Sequence, residues 1–559
     1  MYTKKLGLAG LIVVVGILIA ACAPTTPQTV VHTVEVPKEV PVTVVVTATP
    51  VPEKPEEAAP GQPVPCESLA GLELPDVKIT AAEFVNPVQA SESGDIVTVG
   101  VWKSPKSAFG QASVSVPFCR VAATVEDHIN FEVWMPLPEK WNGRFNGVGN
   151  GALSGGINYP AMAGPLERGY ATASTDSGHV SPAPVLGDWM EDRPDLWVDF
   201  GYRAIHLMTT NAKKIIAAYY GQGPKYSYFT GCSGGGQQAL AEAQEYPADY
   251  DGIVVGAPAC YQTRGWPQEI YPSYLTHRSP AHDIADKLEL IKKAAVAACD
   301  AKDGVEDGVI ENPMACDFDP ASLLCKGEDA PDCLTAEEVD TVQKIYQGLP
   351  NPITGELWYP GFERGSELGW PGHIGEPFVI PVSYFKWVLF DDPNWDWRTF
   401  DFEDPEDFAI LVDGDYRYGP IINAVEPDLT AFKELGGKLL LWHGWNDQNI
   451  APRNSINYYN NVVKAMGGLE ETQEFFRLFM LPGVTHCGGG DGPDSVDWLA
   501  VIQAWVEEGV APDQVIAAKY DRLRINVLRT RPICPYPQVA VYKGTGDTND
   551  AANFACTAP

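Results

Sequence analysis

The apolar positions of this chain fall into three regimes along its length. Leu6 to Ala21 is almost unbrokenly apolar behind Lys4 and Lys5, and the run stops at Cys22. A basic start followed by an apolar run too short for a comfortable bilayer span predicts a secretory signal over residues 1–22. Residues 23–65 carry ten Pro, eleven Val and seven Thr in 43 positions, with no Gly before Gly61. Each Pro fixes its own φ and biases the preceding residue to extended geometry, so stretches such as Val40-Pro41-Val42-Thr43 predict a semi-rigid tether and no helix. From Cys66 onward no internal repeat is visible, and the pattern becomes that of a folded core.

Within that core, Lys225-Tyr226-Ser227-Tyr228-Phe229-Thr230 alternates and is rich in aromatics, which predicts a strand. The strong helix formers Ala239-Leu240-Ala241-Glu242-Ala243-Gln244 follow it. Further strands are predicted around Arg144-Phe145-Asn146, at Ile253-Val254-Val255, over Leu439–Trp445 and over Phe476–Leu481. Between Ile253-Val254-Val255 and Leu439–Trp445 lie residues 260–428, with few clear strands and far more length than a strand-to-helix connection needs. They predict an inserted lid domain, with residues 66–259 and 429–559 as the two parts of one core. Tyr384 to Phe402 places eight aromatics in 19 residues, Trp387, Trp395 and Trp397 among them. At least half of these belong to the lid's own packing; the rest could wall a pocket for an aromatic ligand.

Composition narrows the function classes. Apolar residues make up 45% of 559, enough for a sizeable core, and the net charge of −34 repels phosphate backbones, so nucleic acid is excluded as a partner. Twelve cysteines point to an oxidising compartment if they pair.

The chemistry is local. Between the predicted strand and helix stand Gly231-Cys232-Ser233-Gly234-Gly235, and strand, G-x-S-x-G, helix is the context of a nucleophile elbow. Side chains at Gly231 or Gly235 would collide with the neighbouring strand and helix, and the helix N-terminus behind Ser233 favours developing negative charge. A serine hydroxyl needs a histidine base and an acid to orient it, which in an α/β-hydrolase core follow later in the chain, acid first. Asp447 lies just past the strand at Leu439–Trp445, and His486 lies in Pro482-Gly483-Val484-Thr485-His486-Cys487 after the next strand. The order Ser233, Asp447, His486 matches. His443, inside an apolar strand, is read as a core histidine, as are His179 and His206; Asp428 and Glu426 precede the strand and belong at its opposite end. The loop Gly147-Val148-Gly149-Asn150-Gly151-Ala152 offers the N–H of Gly151 to an oxyanion, beside that of Gly234.

Together, Gly231-Cys232-Ser233, Asp447 after His443-Gly444-Trp445, and His486-Cys487 resemble the tannase and feruloyl esterase family, which also contains the bacterial mono(2-hydroxyethyl) terephthalate hydrolase. The resemblance runs from about Cys66 to the C-terminus. It implies an α/β-hydrolase core with a large inserted lid, and a disulfide Cys232–Cys487 beneath the triad. It also implies Cys66–Cys119, Cys299–Cys316, Cys325–Cys333 and Cys534–Cys556; with Cys22 removed, Cys260 is left over as a buried thiol. Two positions depart from the family's habit: Gly234 stands where a Thr is common, and Gln237 where a basic residue is common. The acidic stretch Cys299 to Val309 fails as an EF-hand, since its sixth position from Asp300 is Val305 rather than Gly. It is similar to the family's calcium loop, which implies a structural Ca²⁺ on the carboxylates of Asp300, Asp303 and Asp307 and the carbonyls of Val305 and Val309. Ile19-Ala20-Ala21-Cys22 resembles a bacterial lipobox, implying lipidation of Cys22 and a cell-surface location, with the membrane engaged only through that anchor; the alternative is an ordinary signal peptide and a secreted protein.

The expected activity is hydrolysis of aromatic carboxylic esters, feruloyl esters first, free or linked to polysaccharide, with gallate or terephthalate monoesters as alternatives and no organic cofactor. A contrasting expectation is a surface lipoprotein that binds aromatic solutes without catalysis; keeping Ser233, Asp447 and His486 together argues against it.

Overall fold

Parallel strands covered on both faces need apolar side chains in both directions, and the unbroken run Leu439-Leu440-Leu441-Trp442 is that requirement written out. In the computed structural model, which describes residues 61–90, 97–191, 193–278 and 284–558, this run is the eighth strand of a nine-stranded sheet. The expected signal, Cys22 and the tether up to residue 60 lie outside the described residues. The strands are β1 (Val77–Val85), β2 (Phe118–Val125), β3 (Ile129–Pro136), β4 (Arg144–Val148), β5 (Ala171–Thr175), β6 (Tyr226–Cys232), β7 (Gly252–Gly256), β8 (Lys438–Gly444) and β9 (Phe476–Leu481). Their spatial order is β1-β2-β3-β5-β4-β6-β7-β8-β9. Pairings are antiparallel from β1 as far as β5 and parallel from there to β9.

The helices that matter for the site are α1 (Ala204–Tyr220), α2 (Gly234–Glu245), α3 (Gln262–Arg278), α4 (Pro405–Ile422), α5 (Arg453–Ala465) and α6 (Trp498–Glu508). Alternation along each strand separates two cores. Ile253, Val255, Leu439 and Leu441 pack with α1, α2 and α5, whereas Val254, Leu440 and Trp442 pack with α6. The fold is an α/β-hydrolase: a mixed sheet with helices on both faces, and strand ends that carry the site.

The inserted lid has a core of its own, in which Trp266, Ile270 and Tyr274 of α3 meet Phe408 and Leu411 of α4. That core also takes Leu153 from the segment after β4 and Met190, Trp197 and Phe200 from the segment after β5, so the lid is built partly from chain read as the first half of the hydrolase core. Of the aromatics from Tyr384 to Phe402, all are buried except Trp387 and Phe390, and those two pack against the same cluster. They hold the lid together. The last residues read as tether are already docked: Gly61 N–H donates to Gly221 O at 2.6 Å and Val64 N–H to Tyr219 O at 3.0 Å. Five disulfides join Cys66–Cys119, Cys232–Cys487, Cys299–Cys316, Cys325–Cys333 and Cys534–Cys556. Among the described residues, no helix is long and apolar enough to cross a membrane.

Candidate active site

β6 ends at Cys232, α2 begins at Gly234, and Ser233 makes the turn between them with φ 64° and ψ −121°. Such a conformation costs a non-glycine residue about 1–3 kcal/mol, so its surroundings must impose it. They do: Ser233 N–H is bonded to Gly256 O at 3.0 Å, and Cys232 is fixed by its disulfide. The glycines are there because backbones touch. A Cβ on Gly231 would lie 2.3 Å from Gly235 O, and one on Gly235 would lie 2.5 Å from Asn150 O.

Asp447 follows β8 and is fully buried. Its Oδ1 accepts the N–H groups of Asn449 and Ile450 at 2.8 and 2.9 Å. Its Oδ2 lies 2.7 Å from His486 Nδ1 and 3.0 Å from His443 Nε2. His486 Nε2 in turn lies 2.9 Å from Ser233 Oγ. A carboxylate can only accept, so His486 carries its hydrogen on Nδ1 and turns the Nε2 lone pair to the serine hydroxyl. Burial works against the Asp447 charge, but His486 and the two imidazole hydrogen bonds outweigh it and hold the carboxyl well below the usual range. For His486 burial lowers the pKa and Asp447, by charge and hydrogen bond, more than restores it, leaving the imidazole above its ordinary value.

The base loop is pinned from several sides. Cys487 has φ 59° and is bonded to Cys232; Thr485 Oγ1 donates to Gly488 O at 2.6 Å and Lys519 Nζ to Gly490 O at 2.6 Å. The acid loop is gripped by the lid: Asn446 Nδ2 donates to Gly365 O at 2.7 Å, and His373 Nε2 lies 3.0 Å from Asn449 Oδ1. No sequence signal announced these lid contacts.

The other candidates stand elsewhere. His179 stacks on Trp189 with ring centroids 3.9 Å apart, and burial lowers its pKa to about 4. His206 bonds Asp249 at 2.7 Å. Glu426 and Asp428 are exposed before the strand, where Asp428 accepts Thr430 N–H at 3.0 Å. Cys260 is a buried free thiol, pushed up to about 12 by burial, and Asn454 Nδ2 donates to its sulfur at 3.0 Å.

Beside Ser233, Asn150 N–H is spent on Gln238 Oε1 at 2.9 Å, whereas Gly151 N–H donates to no group among the described residues. Gly234 N–H opens α2 and has no carbonyl a turn earlier to bond. A Cβ on Gly234 would lie 3.0 Å from Ala152 O and 3.4 Å from Gly151 C, so the glycine lets this loop close down on the elbow. Gln237 is buried and donates to Gly201 O at 2.7 Å.

In the acidic loop, Asp300 accepts the N–H groups of Asp307 and Gly308 at 3.2 and 2.8 Å, and Asp303 that of Val305 at 3.0 Å. Asp307 accepts Val309 N–H at 3.1 Å and pairs with Arg529 and Arg531. The donor set is all oxygen, as a hard cation requires. As folded, its carboxylates accept N–H groups of the loop and Asp307 pairs with the arginines, and among the described residues no three acidic, His or Cys side chains converge on a point.

A serine in an elbow turn at the end of parallel strand β6, hydrogen-bonded in series to a histidine after β9 and a carboxylate after β8, is the arrangement a serine hydrolase requires. The family profile described as tannase and feruloyl esterase matches residues 113–557. A probable feruloyl esterase of Arthroderma benhamiae is 37% identical over 508 residues, 84% of this chain and 92% of that protein. An uncharacterized esterase of Xanthomonas campestris pv. campestris is 36% identical over 542 residues, 88% of this chain and 91% of that protein. The crystal structure of feruloyl esterase B from Aspergillus oryzae superposes with a TM-score of 0.79 at 29% identity, covering 88% of this chain and 99% of that one. The chain therefore belongs to the tannase and feruloyl esterase family of carboxylic-ester hydrolases.

Proposed function

We propose that the protein hydrolyses aromatic acyl esters of the feruloyl type through an acyl-enzyme, with Ser233 as nucleophile, His486 as general base and then acid, and Asp447 as the group that orients and charges the base. The observation that carries this is the unbroken series Ser233 Oγ, His486, Asp447, at 2.9 and 2.7 Å. His486 takes the hydroxyl proton as Ser233 attacks the ester carbonyl, then returns it to the departing alcohol. Water, deprotonated by the same imidazole, releases the aromatic acid. The N–H groups of Gly151 and Gly234, both without protein acceptors, are assigned to the developing oxyanion. The feruloyl preference rests on the relatives' names.

His486 must be neutral to act as base. Its pKa is raised, so kcat/KM is expected to be full at alkaline pH and to fall as pH drops through that raised value. The substrate is tested with methyl ferulate, methyl gallate and a terephthalate monoester. The highest kcat/KM on methyl ferulate supports the proposal; a maximum on gallate or terephthalate reassigns the acyl group; binding of all three with no hydrolysis would leave a solute-binding protein.

The five disulfides support an extracytoplasmic location, and the proposed anchor there is lipidated Cys22; mass spectrometry of the mature N-terminus tests both. The 300–309 loop is proposed to take up a structural Ca²⁺ by releasing its internal bonds, on the strength of its oxygen donors and its closure by Cys299–Cys316. Chelation should then lower Tm more than it lowers kcat at room temperature. Equal Tm with calcium and with chelator would leave the arginine pair as the loop's fixing.

A further inference from the structure

His443 sits one residue from the end of β8 with no exposed surface, and its spacing of four from Asp447 is the reason it matters. Where a strand ends and the chain turns back, the fourth residue on can return to the side chain it left. His443 Nε2 lies 3.0 Å from Asp447 Oδ2 and 3.1 Å from Ile450 O. Both partners can only accept, so the hydrogen is on Nε2. Nδ1 then offers its lone pair to the hydroxyl of Ser455 in α5, 2.7 Å away. This tautomer satisfies every partner, and α5 and the acid loop together fix the plane of the ring.

We propose that His443 is a positioning residue for ester hydrolysis, a buried donor that sets the plane of the Asp447 carboxylate so that Oδ2 meets His486. The inference rests on the Ser233–His486–Asp447 reading above. The two loop N–H groups hold only Oδ1, and a carboxylate held at one oxygen can still swing the other. His443 removes that freedom at the same oxygen His486 uses. When His486 becomes imidazolium and pulls on Oδ2, the opposing N–H keeps the carboxylate from following. The other ionisable groups that face Asp447 come from the lid, Glu269 of α3, Tyr359 and His373, so among the described residues no further donor on the β8 side replaces His443.

The test compares His443→Phe, which keeps ring bulk and removes the donor, with His443→Gln, whose amide nitrogen reaches a similar place. A swing of about 1 Å at the acid translates into a loss of roughly 10–100-fold in kcat for the Phe variant, with KM within about twofold. One donor fewer leaves more charge on Oδ2 and favours the imidazolium, so the acid limb of kcat/KM should move up by about half a pH unit. His443→Gln should recover most of the rate and the wild-type limb. Phe and Gln variants with the same rate and an unmoved limb would reduce His443 to packing and overturn the proposal, as would a Phe variant at the wild-type rate. If His443→Phe does not fold, Ser455→Ala removes the hydroxyl that fixes the imidazole plane but keeps its Nε2–H donor, and should lower kcat by about 2–10-fold with the limb unmoved; a wild-type rate there overturns the proposal too. Ser233→Ala is run beside them. An active Ser233→Ala sinks the underlying reading, whereas an inactive one with wild-type His443 variants sinks only this inference.

Discussion

Ser233→Ala is expected to lower kcat/KM for an aromatic ester by about 10⁴-fold or more, because Ser233 Oγ is the hydroxyl hydrogen-bonded to His486 Nε2. Stability should hardly change. Alanine meets the same strain at φ 64° as serine does, and the lost hydroxyl leaves no buried group orphaned except His486, whose Nε2 can take water. Melting curves that coincide while hydrolysis disappears would separate chemistry from folding. Activity within tenfold of wild type would remove Ser233 from its role.

Asp447→Asn should be nearly as damaging, at about 10⁴-fold in kcat. Every neighbour of this carboxylate is a donor: Asn449 and Ile450 N–H at Oδ1, His443 and His486 at Oδ2. An amide must present its NH₂ to one of those pairs. Facing Oδ1's partners it opposes two backbone N–H groups. Facing the histidines it forces His486 to accept at Nδ1 and carry its hydrogen on Nε2, toward Ser233, where a base needs a lone pair. The first placement sets donor against two fixed backbone donors, whereas a histidine can change tautomer, so the second is favoured and disables the base; single-turnover acylation should slow as much as steady-state hydrolysis does. Rapid acylation with slow turnover would contradict the assignment.

How legible this was in the sequence depended on where each residue sits. Ser233, Asp447 and His486 stand at ends of strands whose apolar runs are unmistakable, and Gly231 and Gly235 mark the elbow because contact with backbone excludes side chains. His443 was read correctly as buried, yet its tie to Asp447 is a matter of chain reversal, which composition of the strand cannot express. The lid was visible only as length. Pro267 and Pro272 lie inside α3 and Pro420 inside α4, so its helices break the usual rules, and its core borrows residues after β4 and β5 that no periodicity connects to it. In the acidic loop the residue types suggest a cation site, but what each carboxylate faces, N–H groups of the loop for Asp300 and two arginines for Asp307, is set by the fold and could not be read from the spacing.

The bond between Cys232 and Cys487 makes the enzyme's competence a record of where it has been. It joins the neighbour of Ser233 to the neighbour of His486 across 255 residues, and closing a loop that long is worth about 5 kcal/mol on chain-entropy grounds. A chain still in a reducing cytosol has neither that constraint nor the clamp that holds the two loops in register, so it would carry its acyl-transfer groups without the alignment to use them. With the extracytoplasmic location proposed above, oxidation would align the esterase only after export, and a recombinant preparation made in reducing cytoplasm should contain folded but poorly active protein that air oxidation improves.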